Sequence, residues 1–129
     1  MRILLVGAGG VGSAFCAIAK RRGFFERIVV ADYDQARAQQ AADAVDDPRF
    51  TATRVDASSE DDVAALIRRH GVTHVVNAVD PRFVMSIFNG ALAGGADYLD
   101  MAMSLSSRHP EKPYELTGVK LGDEQFEAE

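Results

Sequence analysis

The residues with the most recognisable chemistry form a glycine-rich run near the start of the chain. The run reads Gly7-Ala8-Gly9-Gly10-Val11-Gly12 and directly follows a short apolar segment. Glycine permits a tight turn at the first of these positions, a close approach of the backbone to phosphate groups at the third, and close packing of a helix at the sixth. Free N–H groups at the start of a helix also attract anions. The run predicts a phosphate-binding loop, although a glycine motif alone is a weak signal because such runs also arise by chance.

An acidic residue twenty positions after Gly12 strengthens this prediction. Asp32 ends a β-branched run, at the carboxyl end of a predicted second strand, where its carboxylate can accept hydrogen bonds from both hydroxyls of a ribose. The alternative is that Asp32 only caps the helix beginning at Asp34. Because strand, glycine turn, helix and acid follow one another in the order that a dinucleotide site requires, binding is the favoured interpretation.

The residues around Asp32 also bear on which dinucleotide binds. In the segment Asp32-Tyr33-Asp34, a 2'-phosphate would meet one or two carboxylates, with Arg37 as the nearest cation in the sequence. This favours NAD over NADP, but Arg37 leaves NADP open as the alternative. FAD is less favoured, because its ribose acid is more often glutamate. Tyr33 is included among the predicted cofactor contacts.

Two further predicted strands end in polar residues that would lie along the same edge of the sheet. Asp56 and Ala57 follow the third strand, where they would border the adenine, or simply precede a helix as its cap. Asn77, Ala78 and Asp80 follow the fourth strand, at the point where the strand order reverses. A crevice opens there, and the nicotinamide ribose should rest in it.

Catalytic residues are less clear than cofactor contacts. Asp100 ends the fifth predicted strand on the same edge and is a candidate for facing the nicotinamide or a substrate, with a structural cap as the alternative. The three histidines, His70, His74 and His109, lack the spacing of metal ligands, so we predict no metal site and give none of them a catalytic role.

The elements that must hold these residues alternate regularly along the chain. Strands are predicted at 2–6, 27–31, 50–55, 73–77 and 96–99. Helices are predicted at 11–22, 34–45 and 82–93, with Gly23 as the C-cap of the first one. A further helix is predicted between 34–45 and 82–93, with Ser58 or Ser59 as its N-cap and His70 at its end. The first helix should bury Val11, Ala14, Phe15, Ile18 and Ala19. Such alternation predicts an α/β fold, a doubly wound parallel sheet of the Rossmann type with strand order 3-2-1-4-5 and helices on both faces.

Length and composition limit the other possibilities. With 129 residues, 47% of them hydrophobic, the chain suits one compact domain. A net charge of -5 disfavours nucleic acid as a partner. No stretch approaches the roughly 20 apolar residues that span a bilayer, so no membrane association is predicted. The single cysteine, Cys16, cannot form an intrachain disulfide, which fits a small buried residue in a cytoplasmic protein.

The chain resembles the nucleotide-binding domain of the saccharopine dehydrogenase family. The resemblance covers Arg2 to about Ala102 and rests on the glycine run together with Val30-Ala31-Asp32, Val55-Asp56-Ala57, Val76-Asn77-Ala78 with Pro81 and Phe83, and Gly95-Ala96-Asp97-Tyr98-Leu99-Asp100-Met101-Ala102. It implies an oxidoreductase of amino-acid metabolism that moves a hydride between a nicotinamide and the carbon of an imine or secondary amine. Family members often use NADP. By position, the glycines and Asp32 would hold the cofactor, while Asn77, Asp80 and Asp100 would border the reacting ring.

The resemblance also implies that more protein is needed for catalysis. Family members carry a larger catalytic domain, so residues 1–102 are predicted to be the dinucleotide-binding domain and 103–129 an irregular segment and the start of a helix leading to it. The full protein would bind an amino-acid or imine substrate and could form a homodimer, whereas this fragment alone should not catalyse hydride transfer. The alternatives are a stand-alone NAD(H)-sensing module, like those that gate potassium transport, and a non-catalytic scaffold.

Overall fold

Five strands and five α-helices make up the computed structural model, which describes residues 1–128. The strands are β1 (Arg2–Val6), β2 (Arg27–Asp32), β3 (Phe50–Arg54), β4 (His74–Asn77) and β5 (Asp97–Asp100). The helices are α1 (Gly10–Ala19), α2 (Gln35–Asp43), α3 (Glu60–His70), α4 (Val84–Gly94) and α5 (Asp123–Glu127), with a single 3-10 turn at Pro81–Phe83.

All five strands are parallel, in the order β3-β2-β1-β4-β5. The predicted fold and strand order are therefore confirmed. The central strand β1 has Val30 of β2 on one side of Leu5 and Val76 of β4 on the other. Leu4 and Leu5 are both fully buried, which explains why this segment is continuously apolar rather than alternating.

Each face of the sheet has its own apolar core. On one face, Leu5 and Ile28 pack with Cys16 of α1 and Ala41 of α2. On the other face, Leu4 packs among residues of α3 and α4. Right-handed crossovers place α1 and α2 on one face and α3 and α4 on the other. The reason is that the strands advance in one direction across the sheet from β1 to β3 and in the opposite direction from β3 to β5. Cys16 is a buried core residue, as predicted, and burial raises the pKa of its thiol to about 11.

Helix α1 differs from its prediction in both its end and its buried face. It ends at Ala19, and Gly23 does not cap it, because the C-cap is Lys20 in a right-handed conformation. The guanidinium of Arg49 accounts for this, since it donates to the carbonyls of Lys20 at 3.0 Å and Arg22 at 2.8 Å. These carbonyls therefore do not need a glycine cap.

The buried face of α1 consists of Gly12, Cys16 and Ala19. Val11, Ala14 and Ile18 were predicted to be buried but are exposed, Val11 by 53% and Ile18 by 58%. The reason is that Gly12 must face the loop before the helix, which rotates its neighbours toward solvent. Hydrophobicity alone cannot reveal this requirement.

Residues after β5 have little regular structure. They contain an isolated antiparallel bridge between Ser107 and Val119, followed by α5. A helix was expected to start within 103–129, and α5 covers Asp123–Glu127 there, while Glu129 lies outside the described residues. Within residues 1–128, no helix is both long enough and apolar enough to cross a membrane.

Close packing of α3 on α4 yields a stability prediction. A Cβ on Gly90 would lie 2.7 Å from the Cβ of Val63 and 2.8 Å from the carbonyl oxygen of Glu60. We expect Gly90→Ala to lower the free energy of unfolding by about 1–3 kcal/mol, because the helices must separate. Gly23→Ala is the control, since Gly23 is exposed and its Cβ would meet no described atom within 4 Å. Urea denaturation measures both, and an unchanged Gly90→Ala protein would contradict the packing.

Candidate functional site

Two glycines of the N-terminal run are required by the shape of the loop itself. Gly7 has a φ of +106°, and a Cβ there would lie 2.7 Å from Cγ1 of Val79 and 2.8 Å from the carbonyl oxygen of Ala78. A Cβ on Gly12 would overlap the carbonyl oxygen of Gly7. The tight turn predicted at Gly7 is present, and the close contact predicted for Gly12 is with this carbonyl more than with the sheet.

The middle of the run is open. Among the described residues, no atom lies within 4 Å of a Cβ built on Gly9 or Gly10. Gly9 is the N-cap of α1, and within residues 1–128 no side chain caps this helix end and its first turn holds no acidic residue. The N–H groups of the first turn have no partner inside the helix. This arrangement of free donors beside empty space fits a pyrophosphate, with the exposed Val11 at its margin.

Asp32 is bound directly to this loop. Its side chain is buried, with 8% of the residue exposed, and Oδ2 accepts a hydrogen bond of 2.9 Å from the Ala8 N–H. Oδ1 accepts another of 3.0 Å from the Asp34 N–H. Asp34 is itself the N-cap of α2, with its carboxylate accepting from Ala36 and Arg37. The alternative interpretation of Asp32 as the helix cap is therefore wrong, because Asp34 is the cap and the Asp32 carboxylate is fixed against the glycine loop.

Two arginines lie near this carboxylate. Nη1 of Arg37 is 3.4 Å from Oδ1 of Asp32, so the cation predicted nearby is already paired with the acid. Arg54 lies over the ring of Tyr33, with its guanidinium carbon 4.7 Å from the ring centre. Sequence reasoning missed Arg54. The parallel register offered a signal, because it pairs Asp32 with Arg54 at the ends of β2 and β3.

A cavity of about 200 Å³ joins the ends of the first three strands. Its lining includes Gly7, Asp32, Tyr33, Asp56 and Ala57, which were all predicted to contact the cofactor, together with Val6, Arg37, Val55, Val79 and Phe83. Asp56 Oδ1 also accepts from the Ser58 hydroxyl at 2.6 Å. Hydrogen bonds from the side chain and backbone of Ser58 lower the pKa of Asp56, so this carboxyl is ionised at neutral pH. The helix cap is Ser59.

The residues at the end of β4 form the opposite wall of the glycine loop. Asn77 is 2% exposed, and it binds the Val79 N–H through Oδ1 at 3.0 Å and the Tyr98 hydroxyl through Nδ2 at 2.9 Å. Asp80 accepts from the Arg82 N–H at 3.0 Å, and the bonds from Arg82 lower the pKa of Asp80. That these residues, with Ala78, border a nicotinamide ribose stays a prediction.

Asp100 lies at the end of β5, beside Asn77 in the sheet register. Its Oδ1 accepts from the N–H groups of Ala102 at 3.1 Å and Met103 at 2.8 Å, and its Oδ2 accepts from Nε2 of Gln125 at 2.8 Å. Burial raises the pKa of Asp100, but these donors outweigh it and lower the pKa overall. Its candidate catalytic role stays a prediction.

No group of three or more potential ligands in residues 1–128 is arranged to hold a metal ion. His74 in β4 and His70 at the end of α3 are not part of such a group. His74 Nε2 lies 3.4 Å from the Asp97 carboxylate, and His70 is partly buried, which lowers its pKa.

Comparison with known protein families identifies the family to which the chain belongs. The model of the saccharopine dehydrogenase NADP binding domain matches residues 3–128. The chain belongs to the saccharopine dehydrogenase family. It is a dinucleotide-binding domain of this family, and the match extends past residue 102 through the irregular segment to α5.

A curated relative agrees with this assignment. The chain is 29% identical over 101 residues to carboxyaminopropylagmatine dehydrogenase from Synechocystis sp., covering 78% of this chain and 25% of that protein. Apo saccharopine dehydrogenase (L-Glu forming) from Saccharomyces cerevisiae is structurally similar, with a TM-score of 0.65, 18% identity, and coverage of 84% of this chain and 22% of that one. The chain thus spans about a quarter of the length of these two proteins.

The fold is shared more widely. UDP-glucose-4-epimerase from Stenotrophomonas maltophila, solved with bound NAD, has a TM-score of 0.66 and 15% identity, over 92% of this chain and 42% of that one. At this identity the likeness concerns the fold alone.

The two kinds of glycine in the loop should respond differently to substitution. A Cβ on Gly9 would have no described neighbour within 4 Å, so we expect Gly9→Val to fold. The variant should no longer bind NADH, because the valine side chain occupies the space for the pyrophosphate. Gly12→Val should instead unfold or strongly destabilise the chain, because its Cβ would overlap the Gly7 carbonyl. Thermal denaturation and NADH fluorescence titration separate the two effects. NADH binding by Gly9→Val at the wild-type affinity would contradict the assigned loop.

Proposed function

We propose that the chain is the NAD-binding part of a longer dehydrogenase that acts on a CH–NH bond of an imine or secondary amine. The observation that carries the proposal is the glycine loop bound to Asp32 through the Ala8 N–H, at 2.9 Å and away from solvent. The chemistry of the bond is inferred from the family and from two relatives whose names are carboxyaminopropylagmatine dehydrogenase and saccharopine dehydrogenase.

The chain's own residues would bind and orient the dinucleotide in two places. The N–H groups at the start of α1 would hold the pyrophosphate above Gly9 and Gly10. Asp32 would accept hydrogen bonds from the adenosine ribose, whose base would enter the cavity beside Asp56 and Ala57. When bound, the nicotinamide supplies or accepts the hydride.

Asp32 supports NAD as the preferred cofactor. A 2'-phosphate would meet the buried carboxylate of Asp32, which Arg37 only partly compensates from 3.4 Å. Transferring a phosphate group from water to a site beside a buried carboxylate is unfavourable unless cations face the phosphate. The family description and the second cation, Arg54, support NADP as the alternative cofactor.

An uncovered apolar surface supports the proposal that more protein completes the enzyme. On the α1 side of β4 and β5, an apolar groove of about 210 Å³ is lined in part by Phe15, Phe24, Val76 and Leu99. Phe24 and Leu99 are 60% and 61% exposed. Parallel sheets are normally covered on both faces. We propose that 103–129 leads to a catalytic domain that supplies the contacts to an amino-acid or imine substrate, and that two subunits can form a homodimer.

The family match disfavours the two rival functions. A stand-alone NAD(H)-sensing module or an inactive scaffold would not require the segments at the ends of β4 and β5, which extend the resemblance beyond a generic dinucleotide fold.

Reversing the charge at Asp32 tests the cofactor preference. We expect Asp32→Arg to weaken NADH binding about tenfold or more, because the ribose loses its acceptor, and to shift the preference toward NADPH, because the phosphate gains a cation. Glu111→Arg is the control, as an equal charge change at an exposed site. Calorimetric titration of both cofactors gives the ratio of affinities. An unchanged ratio in Asp32→Arg would remove Asp32 from the ribose site.

The proposed reaction requires the full-length protein. With NAD, it should oxidise amino acids that carry a secondary amine, detected as NADH absorbance, and the 129-residue chain should not. Oxidation of hydroxy acids alone would contradict the CH–NH assignment.

A further inference from the structure

A chain of hydrogen bonds crosses the carboxyl ends of β4 and β5, next to the glycine loop. It begins at the side-chain amide of Asn77, where Oδ1 accepts from the Val79 N–H at 3.0 Å. Because an N–H needs an acceptor, this bond fixes the orientation of the amide. The amide nitrogen is thereby directed to the Tyr98 hydroxyl, 2.9 Å away.

Asp100 follows Tyr98 by two residues along β5, so the two side chains lie on the same face of the sheet. The Tyr98 oxygen accepts from Asn77, which leaves its own proton free to point toward the Asp100 carboxylate. Burial first, and then the charge of Asp100, raise the pKa of Tyr98, which keeps the hydroxyl protonated. Asp100 is held in turn by Nε2 of Gln125 in α5, at 2.8 Å.

At the Asn77 end of this network, Val79 packs against the phosphate loop. The Val79 side chain packs so closely on Gly7 that a Cβ there would lie 2.7 Å from Cγ1 of Val79. The Val79 N–H is the group that Asn77 binds. A shift of Asn77 would therefore move the wall that Val79 forms beside the loop.

Asn77, Tyr98 and Asp100 lie at the ends of β4 and β5, on the opposite side of the glycine loop from Asp32, and of the network only Val79 also lines the cavity beside Asp32. Asp32 is on β2 and Asn77 is on β4, and β1 with its glycine loop lies between them. A dinucleotide crosses the sheet at this point, with adenosine toward β2 and nicotinamide toward β4. AMP would therefore occupy the cavity between Asp32 and Val79, whereas NADH would also reach the end of β4 beside Asn77.

We propose that Tyr98 and Asp100 are positioning residues for the nicotinamide half of the dinucleotide, acting through Asn77, and that Gln125 holds this network from the C-terminal segment. The inference rests on the proposed function, because it assumes that the glycine loop binds a dinucleotide. It gives Asp100 a role that needs no direct contact with the reacting ring.

Removing the Tyr98 hydroxyl tests the inference. In Tyr98→Phe, the Asn77 amide loses its acceptor, and we expect the Kd for NADH to rise about three- to tenfold, the range for one lost hydrogen bond, while the Kd for AMP changes less than about twofold. Gln125→Ala should likewise raise the Kd for NADH more than the Kd for AMP, by a smaller factor than Tyr98→Phe does. Tyr114→Phe is the matched control, since Tyr114 is 91% exposed, and it should alter neither.

The ratio of the two dissociation constants separates positioning from general loss of structure. Calorimetry of the 129-residue chain with NADH and AMP measures it, and thermal denaturation reports folding. Equal weakening of both ligands in Tyr98→Phe, or no weakening of NADH, would overturn the inference while the proposed function stands. If Tyr98→Phe does not fold, an unchanged NADH-to-AMP ratio in Gln125→Ala would overturn it. Failure of the wild-type chain to bind NADH would overturn both.

Discussion

A single buried hydrogen bond, from the Ala8 N–H to Oδ2 of Asp32, joins the two parts on which a dinucleotide site depends. It connects a loop that follows β1 to the last residue of β2. A buried carboxylate is costly unless it is hydrogen-bonded, so the acid stabilises the loop at the same time as the loop fixes the acid. The Gly7 N–H, which donates to the Ala31 carbonyl at 2.7 Å, adds a second link between the same strands.

The rest of the site follows from this link and from the strand order. Once the glycine loop is held against β2, the Gly7 carbonyl packs against Gly12, and α1 begins after Gly9 with no side-chain cap from the described residues on its first N–H groups. On the other side, β4 brings Asn77 and Val79 against the loop. Arg37 and Arg54 lie near Asp32, at the ends of β2 and β3, and the Asp100 network lies at the end of β5. The two ends of the proposed dinucleotide site therefore differ in their side chains.

Much of this could be predicted from the sequence because it depends on local chemistry. Continuous apolar strands, helices of regular spacing and the order of glycine loop and acid determine the sheet and the position of Asp32. What could not be predicted depends on contacts between distant residues. The early end of α1 results from Arg49, about thirty residues away, and the exposure of Val11 and Ile18 from the packing of Gly12. The partners of Asp100 depend on Gln125, which lies beyond an irregular segment whose path no periodicity specifies.

The central claim is that the free N–H groups beside Gly9 bind the phosphates of a dinucleotide. The most direct measurement is a titration of NADH into the isotope-labelled chain, followed through its backbone amide resonances. The account predicts saturable shifts at Ala8, Gly9, Gly10 and Val11, with a dissociation constant in the micromolar range. Saturable shifts confined to other parts of the chain, or no shifts at all, would contradict it.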